Sequence, residues 1–203
     1  MNATRVLSAA AFFFFFFAPP LSAQRAGSAD PIGPIPVEAQ IAFAVQAAPE
    51  ALRAGATVQG YVDGEFVTLR EGTNALICMA PNPESGAFEV SCHHEDLEPF
   101  FARGRELRAE GVTGEARVQK RWEEVEAGTL PLPYGASSYV LRGDGFDTAT
   151  ATIENPYLRW VIYTPFATPE TTGLSTEFEE GAPWLMFSGT PGSHIMIVPP
   201  RGG

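Results

Sequence analysis

Lysine is almost absent from this chain of 203 residues: Lys120 is the only one, beside twelve arginines. The 13 basic residues face 24 acidic ones, for a formal net charge of −11, and no basic cluster or basic amphipathic stretch interrupts that balance. Such a surface repels nucleic-acid phosphates and anionic lipid, so neither is an expected partner. Cysteine is limited to Cys78 and Cys92 and histidine to His93, His94 and His194. The cysteines lack CxxC spacing, which argues against thiol–disulfide exchange. GxSxG, GxxxxGK[ST] and a GxGxxG opening a helix are all missing, which removes the serine-hydrolase, P-loop and dinucleotide signatures. No cofactor is expected, and a divalent metal stays open only through the histidines.

Long apolar runs are also scarce. The one that stands out follows Arg5, spans 6–18 and contains six consecutive phenylalanines, 12–17. A permanent membrane helix needs about 20 apolar residues, so the run is too short to stay in a bilayer. Leu21-Ser22-Ala23 before Gln24 reads as a signal-peptidase site. Residues 1–23 are therefore an expected Sec-type signal peptide, the mature chain begins near Gln24, and the expected compartment is the bacterial periplasm or exterior, with no stable membrane insertion after cleavage. Arginine in place of lysine, with abundant Ala, Gly and Pro, suggests a GC-rich bacterial genome. Without Arg5, 12 basic residues stand against 24 acidic ones, about −12 by side-chain count. No cysteine lies at the cleavage site to carry a lipid anchor.

In an oxidising compartment two cysteines 14 positions apart are expected to form one disulfide. Closing a loop of that size contributes about 3 kcal/mol in the chain-entropy description. The enclosed segment holds Pro81, Asn82, Pro83 and Gly86 and would have little order of its own.

The remaining chain suits a single domain, 37–203, after a lead-in at 24–36 whose Gly, Pro, Ala and Ser lack periodicity and which is expected to be disordered. Ile41, Ala44, Val45 and Ala48 recur at helical spacing from Val37 to Arg53, with Pro49 as an interruption before a second short turn, which predicts one helix with a kink. Runs at 58–61 and 66–69 flank Asp63-Gly64, a strong hairpin signal, and 75–79 reads as a further strand. A helix capped by Asp96 follows, with Leu97, Phe100, Phe101, Gly104 and Leu107 on one face. Another spans about 114–127, capped by Thr113, with Val118, Trp122 and Val125 as its apolar stripe and its charges read as a solvated face. Strands are expected at 138–141, 158–163, 184–187 and 194–198, separated by Gly/Pro-rich stretches that include 143–156 and 167–183. Segregated helices and strands predict an α+β fold, an antiparallel sheet with two or three helices packed on it and one intramolecular disulfide.

Chemistry would centre on the histidines. His94-Glu95-Asp96-Leu97-Glu98 has the outline of HExxH, with Glu98 in place of the second histidine, but Pro99 is expected to push Glu98 out of the helical region. The helix N-terminus, which attracts acidic side chains, is the plainer explanation of Glu95, Asp96 and Glu98. His194 opens a short apolar strand, where it could line a pocket, but fixing the turn before it is the plainer reading. The aromatics Trp160, Tyr163 and Phe166, or Trp184 and Phe187, could stack on a flat ligand, but burial preferences place Trp160 in the core.

Leu69-Arg70-Glu71-Gly72-Thr73-Asn74 leading to Cys78, the second cysteine at Cys92, Ser138-Tyr139-Val140-Leu141-Arg142-Gly143, and the block from Pro183 through Pro191 to His194-Ile195-Met196 resemble segments of a group of uncharacterised exported bacterial proteins. The resemblance spreads over most of 66–198 and implies membership without an activity. Members often carry an Asp-rich stretch around the first cysteine, where Ala80-Pro81-Asn82-Pro83 stands here, so the resemblance gives that loop no ligand role. The leading expectation is a non-enzymatic envelope domain that binds a small ligand or an envelope protein. The rival is a metal-assisted hydrolase combining His94, His194 and a carboxylate such as Glu98, with His93 nearby, and a third reading is a purely structural envelope protein. Convergence of His94 and His194 in a polar cleft is what separates the first two.

Overall fold

A computed structural model of the chain describes residues 30–199. The expected signal peptide and its cleavage site lie outside the described residues. The described end of the lead-in, 30–36, has no helix or strand, but it is held rather than disordered. The Ile32 and Gly33 N–H groups donate to Ser85 O at 2.9 Å and Pro83 O at 3.1 Å, and Ile35 is buried. Two isoleucines find apolar cover there and the backbone finds carbonyls on the disulfide loop.

Helix α1 (Val37–Ala44) passes into a single 3₁₀ turn (Val45–Ala47), and α2 (Glu50–Arg53) is one turn after Pro49. Strands β1 (Thr57–Val62) and β2 (Glu65–Arg70) form the expected hairpin, with Asp63 and Gly64 at φ 52° and 86° as a tight Asp-Gly connection requires. β3 (Leu76–Met79) and β4 (Phe88–His94) bracket the disulfide loop. A 3₁₀ turn (Glu95–Leu97) then leads into α3 (Glu98–Ala109), followed by α4 (Gly114–Glu126). Asp96 is not the cap of α3. The chain turns once before the helix, the Asp96 N–H donates to His94 Nδ1 at 3.2 Å, and Leu97 occupies the cap position. Thr113 does precede α4, without a side-chain bond.

β5 (Ser137–Gly143) and β8 (Tyr157–Tyr163) enclose a small hairpin of β6 (Gly145–Asp147) and β7 (Thr152–Glu154) within the stretch read only as a separator. The one-turn α5 (Pro169–Thr172), β9 (Trp184–Met186) and β10 (His194–Ile197) complete the chain.

The fold is α+β. Its eight-stranded sheet runs in the order β2-β1-β3-β4-β5-β8-β10-β9 and is antiparallel except where β1 and β3 run parallel, so the sheet is mixed. That pair arises because the chain leaving β2 returns to the start of β1: the Thr73 and Asn74 N–H groups both donate to Gly55 O, at 2.7 and 3.0 Å. β3 therefore sets off in the direction of β1. Cys78 and Cys92 face each other across β3 and β4 and form the disulfide, S–S 2.06 Å.

Alternation along the strands divides the sheet into two faces. Phe88, Val90 and Cys92 of β4, with Val58, Cys78 and Leu141, meet Phe43 and Ala44 of α1 in the main core. Phe43 packs edge-on to Phe88 and Phe146, at 5.1 and 5.8 Å between ring centres. α1 and its following turn pack chiefly on β1 to β5 and on the β6–β7 hairpin. Trp160 lies on the same face farther along, opposite Tyr139 and Ile197. It lies beyond the strands on which α1 mainly packs and is 40% exposed rather than a core residue. Trp184 is buried and joins Val161, Met196 and Val198 in a second, smaller core.

Candidate functional site

Glu89, Ser91 and His93 of β4 and Val140 of β5 point to the other face, toward α3 and α4. At 3.6 residues per turn, Phe101, Arg105 and Arg108 fall within about 60° of one another on α3, and Arg117 and Arg121 lie one turn apart on α4. The two helices are tied together by Arg103, whose Nε and Nη2 both donate to the Glu124 carboxylate at 2.9 Å. Gly104 lets Arg121 lie across α3: a Cβ there would sit 3.1 Å from Arg121 Nη1. The Arg121 guanidinium covers the Phe100 ring at 4.2 Å and reaches Phe100 O at 3.4 Å. Farther along α4, the Trp122 indole crosses Gly192 with no room for a Cβ and meets Phe187 edge-on at 5.2 Å.

Between these helices and the sheet lies a cleft of about 300 Å³. Four arginines, 105, 108, 117 and 121, line one side; Tyr61, Phe66, Met79, Phe101 and Val140 supply apolar wall, and Asn82, Ser85 and Ser91 a polar margin. Tyr61 is fixed by buried Gln40, whose Oε1 accepts its N–H at 2.7 Å while Nε2 donates to Tyr61 O and Ile35 O at 2.8 Å.

The arginines are not equally committed. Arg105 pairs with Glu98 and covers the Phe66 ring at 4.8 Å. Arg121 has only a neutral carbonyl and a ring, and its Nε is buried without a partner. Arg108 and Arg117 make no ion pair or hydrogen bond among the described residues, and Arg117 Nε is also buried. Burial, and then Arg108, push the Arg117 guanidinium below its usual pKa; burial and Arg117 do the same to Arg121, against an opposing pull from Tyr163. Guanidinium stays charged in either case. The one acid in the lining, Glu89, is paired with Arg142 and Arg159 outside it. Burial raises the Tyr61 phenol despite nearby Arg108 and Arg105.

The histidines do not meet. His93 is fully buried, stacks on Phe101 at 4.3 Å and donates from Nε2 to Glu98 Oε2 at 2.8 Å, leaving Nδ1 unpartnered. His94 points to the opposite face of β4 and serves the turn of Asp96. His194 lies beside Tyr163 and Phe187 and donates from Nδ1 to Gly192 O at 2.8 Å; burial lowers its pKa. Burial pushes the neighbouring Tyr163 phenol up to about 12. Glu98 is helical after all, φ −56° and ψ −41°, in spite of Pro99. Its carboxylate is gripped by His93 and Arg105, and burial, which raises its pKa, is outweighed by these two partners, so the net shift is downward. Glu98 thus joins His93 and not His94. No group of three or more His, Cys, Asp or Glu placed to hold a metal ion occurs among the described residues.

The cleft arginines are the residues that sequence reasoning missed, the charges of α4 having been read as a solvated face. A signal existed. Five of the twelve arginines fall between 103 and 121, and Arg117 and Arg121 border the stripe of Val118, Trp122 and Val125 on one arc of the helix. Compared with protein-family models, with curated proteins and with solved structures, the chain matches none.

Proposed function

We propose that this is a non-enzymatic binding protein that seats a small organic anion in the arginine-lined cleft. One observation carries the reading: in a chain of net charge −11, four arginines converge on one cavity, and three of them have no carboxylate partner among the described residues. Leaving the Nε donors of Arg117 and Arg121 buried and unbonded costs free energy in the empty protein, whereas Arg108 is exposed. An anion would return that cost by supplying charge-assisted hydrogen bonds, while Phe101, Val140 and Met79 offer contact to an apolar body. About 300 Å³ is at the lower end for small-molecule sites. The disulfide favours an oxidising compartment, and no helix among the described residues is long and apolar enough to cross a membrane. With the character of residues 1–23, these features support work in the periplasm or exterior.

Calorimetric titration with phenyl sulfate, a monoanion on a flat ring, and with uncharged benzyl alcohol tests the reading. Phenyl sulfate is expected to bind, benzyl alcohol not to, and Arg117→Met and Arg121→Met each to weaken the anion by about tenfold or more. Equal binding of both compounds, or anion binding indifferent to both substitutions, refutes it.

A further inference from the structure

The number of uncommitted charges says more than their sign. Two carboxylates beside the cleft are already used: Glu98 by His93 and Arg105, Glu89 by Arg142 and Arg159; Glu84 acts on Tyr61 at the far margin without an ion pair. What remains is half-buried Arg117 and Arg121, with exposed Arg108 at the rim, three guanidinium groups without a carboxylate partner among the described residues. They come from two helices and converge on one side of the cavity, whereas the apolar wall lies on the strands and on Phe101. A singly charged ligand would leave two of the three unmatched.

From this juxtaposition we infer that the ligand is a phosphomonoester: a terminal phosphate dianion on a small apolar body, the phosphate set among Arg108, Arg117 and Arg121 and the body against Phe101 and Val140. This rests on the anion-binding reading above and sharpens it to a charge state and a headgroup. The physical grounds are geometric and electrostatic together. A guanidinium presents a planar fork of N–H donors, so two or three forks from different directions suit the three terminal oxygens of a phosphate better than the two of a carboxylate. Arg117 and Arg121 sit one helical turn apart as like charges, a destabilising arrangement in an empty site. A dianion between them turns that repulsion into attraction. Arg105 is not part of the anion site, because Glu98 holds it; it positions the Phe66 side of the wall. The cavity volume suits a soluble ester of the size of phenyl phosphate, and a lipid phosphate headgroup presents the same chemistry from a bilayer surface.

The deciding measurement is calorimetric titration of the disulfide-bonded protein with phenyl phosphate, phenyl sulfate and inorganic phosphate, together with sedimentation with vesicles of phosphatidylcholine containing phosphatidate. Phenyl phosphate is expected to bind at least about tenfold more tightly than phenyl sulfate, which shares its shape and lacks its second charge. Its affinity is expected to rise as pH passes the second phosphate pKa of about 6, while that of phenyl sulfate stays level. Inorganic phosphate, without the apolar body, is expected to bind more weakly than the ester. Arg117→Met and Arg121→Met are expected to erase the preference for phosphate over sulfate. Vesicle binding in place of binding to the soluble ester assigns the phosphate to a lipid headgroup. Equal affinity for phenyl phosphate and phenyl sulfate, both lost in Arg117→Met, overturns the dianion and leaves a monoanion site. Failure of all the anions to bind, in solution and on vesicles, overturns both readings.

Discussion

A site that holds unmatched charge in readiness for a ligand should make the empty protein less stable than it could be. Arg117→Met removes that charge and keeps an unbranched stem of similar length to fill the same space. In the native chain Arg117 Nε is buried without a partner, the guanidinium has no counter-ion among the described residues, and Arg121 lies one turn away. A buried orphan donor costs about 1–3 kcal/mol, and a like-charged pair one turn apart about 0.2–0.5 kcal/mol. Arg117 is only partly buried, and some stem contacts are lost with the head group, so the expected gain is near the bottom of that range, about 1 kcal/mol, or about 2–4 °C in melting temperature for a domain of this size. Thermal melting followed by circular dichroism at neutral pH and low salt measures it. Added salt screens the arginine repulsion, so the gap between native chain and variant should narrow. Saturating ligand stabilises only the chain that binds it, so with enough phenyl phosphate the order should reverse. A variant that melts below the native chain without ligand would show that Arg117 is a stabilising residue, and the argument for a poised site would fail.

Three further outcomes are expected. Replacing Cys78 and Cys92 together by serine removes the link between β3 and β4 and should cost about 3 kcal/mol, read by urea unfolding under non-reducing conditions; a loss below about 1 kcal/mol would show that strand pairing alone holds the loop. Glu98→Gln should destabilise the protein at neutral pH, because the net lowering of the Glu98 pKa means that its ionised form stabilises the fold; that contribution is complete above 4.5 and is lost as pH falls through the lowered native value, so unfolding curves of native chain and variant should converge in acid. Gly104→Ala should gain up to about 1 kcal/mol of helix propensity while its new Cβ displaces Arg121. Calorimetry should therefore find weaker phenyl phosphate binding without a matching loss of stability, and unchanged binding would mean that Arg121 does not depend on that gap.

Much of the frame was legible because it is local. Asp63-Gly64 fixes a hairpin by the backbone angles that it tolerates, Pro49 separates α2 from the turns before it, and the two cysteines pair as expected, although β4, which carries Cys92, was not foreseen as a strand. The parallel pairing of β1 with β3 was not legible, since it depends on two N–H groups of the 71–75 connection finding Gly55 O. Glu98 was misplaced for a related reason: the rule disfavouring a helical residue before proline is a local bias, and His93 and Arg105 together hold the carboxylate against it. Trp160 was misjudged because apolar neighbours along a strand do not say whether a helix covers that part of the sheet. The cleft was hidden by the assumption that helix charges face water. Its arginines lie on two helices, and the wall opposite them comes from strands near residues 61–66, 79–91 and 140, so only the assembled sheet makes them one site.

The outer wall of that site is also its least anchored element. α4 has no fully buried residue; among the contacts that fasten it are Arg103 to Glu124, Arg121 across Phe100, and Trp122 over Gly192 and against Phe187. α3, by contrast, buries Phe100 and Leu107. Segments held by so few outside contacts are expected to open before the rest of a fold, so the amides of α4 should exchange with solvent ahead of those of the sheet and α1, and a ligand seated on Arg117 and Arg121 should slow that exchange in α4 first.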